Sequence, residues 1–374
     1  MTPDKQMLKN QDRTPEKDPD LMASILRRIA TGPHLSKDIS RSEARDGMLL
    51  VLEGKADPVQ AAIFLIALRM KRETDNENLG ILDAIQERTC TTKVPVSELV
   101  DIADPYNGYL RTLPATPFIP AVLAACGLPA FCHGVESVAP KHGLTARRIF
   151  RAAGVATNLS PEQAGERVSH QAIGWCYLDQ ASFCPGLHGL APLRDLMIKR
   201  TCLSTLEVLA APLRAGQKTH LLTGFVHKAY PRIYAMAARQ AGFYSALILR
   251  GIEGGIVPSL KQPVTCFRYT NGGPEAAFEA DPSKIGIGRE NRAVTHTLLK
   301  TEPTNLDRLA TAAAELGLQA LGGAPGAMRD CLVYTGALVL WHSGRSASFQ
   351  AGASTIGEVL DNGKALKRFR AIDG

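Results

Sequence analysis

Asp104 to Thr116, reading DPYNGYLRTLPAT, follows a strand-like run, Val100 to Ala103, and precedes an apolar helical stretch. It therefore occupies the turn where an α/β protein gathers backbone amides around an anion. Its composition is wrong for a plain phosphate cradle. Gly108 alone lets the backbone approach a ligand closely, Pro105 and Pro114 remove amide donors, and Tyr106 and Tyr109 take up space. Asn107, Arg111 and Thr116 keep polar functions in the same stretch, which marks the loop as altered for another task. The tyrosines offer π faces to bases beside cationic groups, with packing of the loop as the alternative reading.

The formal net charge of +7 is unevenly placed. Between Leu190 and Thr270, eleven Lys and Arg residues face three Asp and Glu, so this segment alone carries +8. Such lopsidedness suggests a polyanion-facing surface. The alternative is a set of solvated helix faces whose counter-charges come from elsewhere in the fold. Arg194, Lys199 and Arg200 are the tightest cluster, although their spacing puts them on one stripe only if the helix ends near Lys199. Lys141, Arg147 and Arg148, with Arg151 beyond, flank a loop and a helix start, a common place for phosphate-backbone contacts. His133, followed by Gly134, ends an apolar run, where a histidine is more often packed in a core than bound to a ligand.

These groups must be positioned by a mixed architecture. From Leu21 to Thr89 the pattern is helical throughout: Ser40 with Glu43 forms a capping box, Asp57-Pro58 opens the next helix and Asp75 a fourth. After residues 91–95, short apolar runs alternate with helical stretches, which argues for a mostly parallel sheet covered on both faces. Asn271-Gly272-Gly273-Pro274 reads as a turn, and Ile285 to Gly288 as a poor dinucleotide loop. A single helix is expected over Gly357 to Arg368. Met1 to Asp18 mixes charges with prolines and reads as a disordered tail rather than a secretory or transit sequence. Eight cysteines without a C-x-x-C pair indicate buried free thiols in a cytoplasmic protein, and no apolar run reaches membrane-spanning length.

The run Ala62 to Thr74, AIFLIALRMKRET, resembles the N-terminal helical domain of the anthranilate phosphoribosyltransferase and nucleoside phosphorylase family, where L-A-x-R-M-K-G-E-T is typical. Arg72 stands at that run's glycine. His133-Gly134, Lys141 with Gly143, Gly154-Val155, Leu159-Ser160-Pro161, and Ala191-Pro192-Leu193-Arg194 to Arg200-Thr201 follow in the family's order. The resemblance covers Leu21 to Leu340. It implies a small helical domain over 19–92, usually the dimer-forming part, and a large α/β domain over 93–374 with the ligand cleft between them. Arg194 matches the family arginine near the anthranilate carboxylate.

The family's working motifs are altered here. Its GTGGD loop corresponds to Asp104 to Gly108, and its N-x-S-T run to Leu113 to Thr116, with only Thr116 kept. Its K-H-G-N-R run corresponds to Cys132 to Glu136, and its magnesium-binding Asp-Glu pair to Ile256-Val257. Four losses in the machinery that stabilises a pyrophosphate leaving group imply no family-type catalytic residue, no metal site and no cofactor. A closer resemblance is to the YbiB-type subgroup, the second type of anthranilate-phosphoribosyltransferase-like protein. It rests on Tyr106-Asn107-Gly108, Thr116-Pro117, His133-Gly134-Val135, Leu144-Thr145 with Ile149-Phe150, Phe183-Cys184-Pro185 and Glu253-Gly254.

That resemblance implies a cytoplasmic homodimer that binds nucleic acid through a basic surface, without strong sequence preference and away from membranes. The alternative is a divergent glycosyl- or phosphoribosyltransferase acting on an unidentified substrate, with magnesium, its phosphate site rebuilt around Arg111, His133 and Arg194. A dimeric scaffold whose basic face meets an acidic partner is a third possibility.

Overall fold

The computed structural model describes residues 19–32 and 34–371; the tail expected over 1–18 lies outside them. Four helices open the fold: α1 (Pro19–Ile29), α2 (Arg41–Leu52), α3 (Pro58–Lys71) and α4 (Asp75–Glu87). Their starts follow local chemistry. Ser40 and Glu43 form the capping box of α2, Asp57 caps α3 with Pro58 in its first turn, and Thr74 with Glu77 forms a second box at α4. Arg72 ends α3 with φ 69°, a left-handed conformation that explains why glycine suits this position. Arg72→Gly is expected to stabilise the protein by about 0.5–1 kcal/mol, the relief of left-handed strain less the added freedom of the unfolded chain. A urea midpoint that rises with an unchanged slope would register it.

The α/β part is built on a seven-stranded sheet. Its strands are β2 (Glu98–Ala103), β3 (Ala130–Gly134), β4 (Trp175–Asp179), β6 (Lys218–Gly224), β7 (Ser245–Leu249), β8 (Val264–Thr270) and β9 (Ala276–Ala280), in the order β4-β3-β2-β6-β7-β8-β9. The first five run parallel, with Val100 opposite Ala130 and His220 opposite Ser245; β8 and β9 run antiparallel. A separate short pair joins β1 (Thr92–Val94) to β5 (Leu213–Ala215). The connection from β8 to β9 contains a tight turn closed by Gly273 N donating to Thr270 O at 3.0 Å, with Asn271 and Gly272 at its centre both at positive φ.

Helices α5 (Ile119–Ala125), α6 (Ala146–Ala152) and α7 (Pro161–Ser169) connect the early strands. Near the C-terminus the single helix expected over 357–368 is two, Phe349–Asp361 and Lys364–Arg370, because Gly363 takes φ 71° and breaks the helical path. Two apolar cores fill the faces of the sheet. One merges with α1–α4 through Phe64, Leu65, Leu68 and Ile85; the other lies beneath α5, α6 and the C-terminal helices around Phe118, Phe150, Trp175 and Phe369. Six of the eight thiols are buried. Among the described residues no helix is long and apolar enough to cross a membrane.

Candidate anion-binding cleft

Parallel strands point their C-terminal ends the same way, and the loops leaving them line a cleft of about 930 Å³ facing the helical part. Asn107, Arg111 and Thr112 come from the loop after β2, Lys141 from the segment after β3, His227 and Tyr230 from that after β6, and Arg250 to Gly254 from that after β7. Arg69 of α3 with Arg200, Thr201, Ser204 and Thr205 close the other side. Six Lys and Arg side chains (Arg69, Arg111, Lys141, Arg200, Arg250 and Arg292) meet one carboxylate, Glu253. Lys141 is pushed below the usual lysine range by burial and by Arg200 and Arg111, against the pull of Glu253. Asn107, 8% exposed, also lines the cleft, with a carboxamide oxygen that has no partner among the described residues. An anionic ligand would relieve the crowding of Lys141 with Arg200 and Arg111.

The loop 104–116 is pinned rather than open. Tyr109 and Leu144 exchange backbone hydrogen bonds, N to O at 3.0 and 2.8 Å, and Gly143 N donates to Asn107 O at 2.9 Å. Gly108, at φ 72°, serves this contact: a Cβ there would fall 2.7 Å from the Gly143 carbonyl carbon. Tyr109 donates to Asp104 at 2.8 Å and rests on Gly255, where a Cβ would strike its hydroxyl. Burial raises the Asp104 carboxyl to about 6, with the Tyr109 hydroxyl opposing the rise. Tyr106 and Tyr109 are 3% and 5% exposed, so neither offers a face to a base.

Several candidates from the sequence lie elsewhere. His133 is buried among Phe131, Phe183 and Tyr106; its Nε2–H donates to Asp101 at 2.8 Å and its Nδ1 accepts from the Tyr106 hydroxyl. It is a core histidine, and neither it nor Gly134 nor the buried Thr116 lines the cleft. Arg194 is likewise withdrawn: it is 5% exposed and grips Glu207 with two hydrogen bonds of 2.6 and 2.8 Å. Its helix, Ala191–Met197, ends before Lys199, which is exposed but outside the cleft lining. Arg147, Arg148 and Arg151 surround Glu136 at 3.1, 3.6 and 2.9 Å, and Arg147 also meets Asp179 at 3.1 Å. None of the three lines the cleft.

The basic segment divides in the same way. Lys218 pairs with Glu98, Arg232 with Asp75 and Arg239 with Glu275, while Arg214 and Arg268 lie over Phe243 and Trp341. Much of the +8 is therefore answered within the fold. Arg200 and Arg250, which have no acidic partner among the described residues, remain at the cleft. Arg69, Arg250 and Arg292 escaped the sequence reading; only the position of Arg250, directly after a parallel strand, could have singled it out.

A helical bundle joined to an α/β domain, with a cation-lined cleft at the strand C-termini, is the architecture of the phosphoribosyltransferase-like glycosyltransferases. Residues 23–89 match the helical bundle domain of a glycosyl transferase family and residues 115–366 match its a/b domain. The chain belongs to that family, glycosyl transferase family 3. It is similar to the anthranilate phosphoribosyltransferase of Bradyrhizobium diazoefficiens, 27% identical over 94% of this chain and 98% of the relative, and to that of Rhodopseudomonas palustris strain BisB5, 26% identical over 93% and 96%. Among solved structures, the anthranilate phosphoribosyltransferase of Thermus thermophilus superposes with a TM-score of 0.71 at 22% identity, covering 94% of this chain and 99% of that one. The Saccharomyces cerevisiae enzyme in complex with PRPP and Mg gives 0.74 at 18% identity, covering 95% and 98%.

The described residues do not suit a magnesium ion in the cleft. Magnesium takes one or two carboxylates together with phosphate oxygens. Glu253 already accepts hydrogen bonds from Leu110, Arg111 and Thr112 and faces the Lys141 and Arg111 cations. Ile256 is buried hydrocarbon.

Proposed function

We propose that this chain is a phosphate-binding member of the family, of the YbiB type, that holds nucleic acid in its cleft mainly through backbone phosphates and without strong sequence preference. The observation that carries the reading is the cleft's charge: six cationic side chains against one engaged carboxylate. Guanidinium and ammonium groups in that number suit a ligand with several phosphates. A homodimer in the cytoplasm goes with this reading. Supporting the dimer, α3 buries one face yet leaves Val59, Ile63 and Met70 exposed, beside Leu196 and Ile198 at 81% and 68% exposure.

If three cleft cations each neutralise one phosphate, affinity for a mixed-sequence oligonucleotide should fall about 40-fold between roughly 50 and 200 mM salt. Arg200→Glu should weaken binding across all sequences and reduce the salt slope by about one or more. Fluorescence anisotropy measures both. Negligible binding at low salt, or binding indifferent to salt, would sink the reading.

The second reading is a divergent glycosyl- or phosphoribosyltransferase on an unidentified substrate, with magnesium as its cofactor. It is favoured by the near full-length similarity to anthranilate phosphoribosyltransferases. Saturable heat on titration with phosphoribosyl pyrophosphate and magnesium, unaffected by competing oligonucleotide, would select it.

A further inference from the structure

Glu253 has an unusual station. It sits in the turn after β7 with φ 56°, a left-handed conformation that a non-glycine residue seldom adopts, and its side chain is 2% exposed. From there the carboxylate reaches the loop after β2. It accepts from the backbone amides of Leu110 and Arg111 at 3.0 and 2.9 Å and from the Thr112 hydroxyl at 3.0 Å. Lys141 Nζ and Arg111 Nε stand 3.8 and 3.9 Å from its Oε2.

Two successive amides, a hydroxyl and two cations converging on one anion are the donor set of a phosphate site. Here a glutamate from another loop fills it. Because asparagine or glycine would take this backbone conformation more readily, the carboxylate's contacts must outweigh the strain. The same contacts explain why a cleft with six cations still presents two of them, Lys141 and Arg111, turned toward an internal charge.

We propose that Glu253 is an internal occupant of a phosphate site: when ligand binds, a phosphate group displaces the carboxylate from Leu110, Arg111 and Thr112, and Lys141 transfers its attraction to the phosphate. This rests on the reading of the cleft as a phosphate-binding site. The ligand chemistry is a phosphodiester or pyrophosphate oxygen pair, whose geometry matches the two amides as the carboxylate does. Release exchanges one anion for another, so the cradle is never left with unanswered donors. The engaged state is self-inhibited, and only ligands able to outcompete a tethered carboxylate enter.

The test compares the full chain with Glu253→Ala and with Glu253→Asn, the latter chosen because asparagine tolerates the left-handed backbone. Each is titrated with inorganic pyrophosphate and, separately, with a mixed-sequence oligonucleotide lacking a terminal phosphate. Removing the occupant should raise affinity about ten-fold or more. Thr112→Ala then separates displacement from simple loss of a negative charge. In the Glu253→Asn background it should lower affinity about three-fold or more, because the hydroxyl now serves the ligand; in the Glu253 background it should not, because there it serves the occupant.

Absence of the gain, or a Thr112→Ala effect of the same sign in both backgrounds, overturns the proposal. Salt-dependent oligonucleotide binding that ignores both positions leaves the nucleic-acid reading standing and removes the occupant. A gain for pyrophosphate with no oligonucleotide binding keeps the cradle and removes nucleic acid as its ligand. If no variant binds either probe, both fail.

Discussion

Arg194→Met is expected to destabilise the protein by about 3–5 kcal/mol, and Arg194→Met with Glu207→Leu to recover most of that loss. Arg194 and Glu207 are 5% and 2% exposed and joined by two hydrogen bonds, so removing one partner leaves a charge buried without compensation. Stranded Glu207 would also lie near Tyr106, whose hydroxyl is already held far above its usual range by burial and then by the charge of Glu207. Two apolar side chains of similar volume avoid both penalties, because a buried ion pair gains little over good packing once desolvation is counted. Urea unfolding measures the stabilities. The oligonucleotide affinity of the folded double variant should stay within about two-fold of the unaltered protein, as expected for a rim-independent structural pair. A large loss of affinity without loss of stability would return Arg194 to the ligand.

Arg194 also shows where the sequence misleads. Its place in a basic cluster and its match to a family arginine both pointed to an anion, yet its partner is thirteen residues further along its own chain. Charge counting could not see this, since pairing depends on which helix face turns inward. His133 raised the same difficulty: residue type and family position suggested the cleft, while strand alternation sets it on the Phe131 face of a strand buried on both sides, against Asp101. The helical opening, the parallel strands and the turn at 271–274 were legible because capping boxes, apolar runs and Asn-Gly pairs act over a few residues. The β8–β9 hairpin arms were not, since their half-buried residues carry weak alternation. The cleft itself was half legible. Asn107, Arg111, Lys141 and Arg200 were named from the sequence and converge, whereas Arg69 lies in a helical run legible for its fold and not for its place at the cleft, and Arg292 comes from a segment with no pattern of its own.

Acid should weaken this protein before most of its surface carboxylates titrate, and the cause lies at the end of the sheet away from the cleft. Ser245 at the start of β7 links His220 of β6, Nδ1 to Oγ at 2.7 Å, with His342 of the helix Ala327–His342, Nε2 to Oγ at 2.9 Å. A hydroxyl carries one hydrogen and two lone pairs, so Ser245 can donate to one ring while accepting from the other, and burial keeps both rings neutral. Burial lowers His220 to about 4, with Lys218 and Arg345 adding to the effect and Glu98 opposing it. Burial also lowers His342 to about 3, with His220 and Arg268 adding to it.

Unfolded histidine titrates near 6.5, so each group contributes stability that is whole above pH 6.5 and is lost as pH falls toward 4 and 3. By about pH 4.5 that amounts to roughly 2.5 kcal/mol from His220 and a similar amount from His342, a large part of a typical domain's stability. Asp104 acts in the opposite direction. Its carboxyl is raised to about 6, so the folded protein gains stability as pH falls from there toward 3.8, by about 2 kcal/mol at pH 4.5. Two histidines outweigh one aspartate, and the net is a loss of about 3 kcal/mol between pH 7 and 4.5. Glu43, held at about 2 by Arg28, contributes its own loss only below that window. The double variant His220→Gln with His342→Gln should therefore be less stable than the parent near pH 7 and should not weaken on acidification to pH 4.5; with Asp104 left intact it should strengthen. Urea midpoints at the two pH values decide the matter, and a parent protein equally stable at both would refute the assignment of neutral, buried rings.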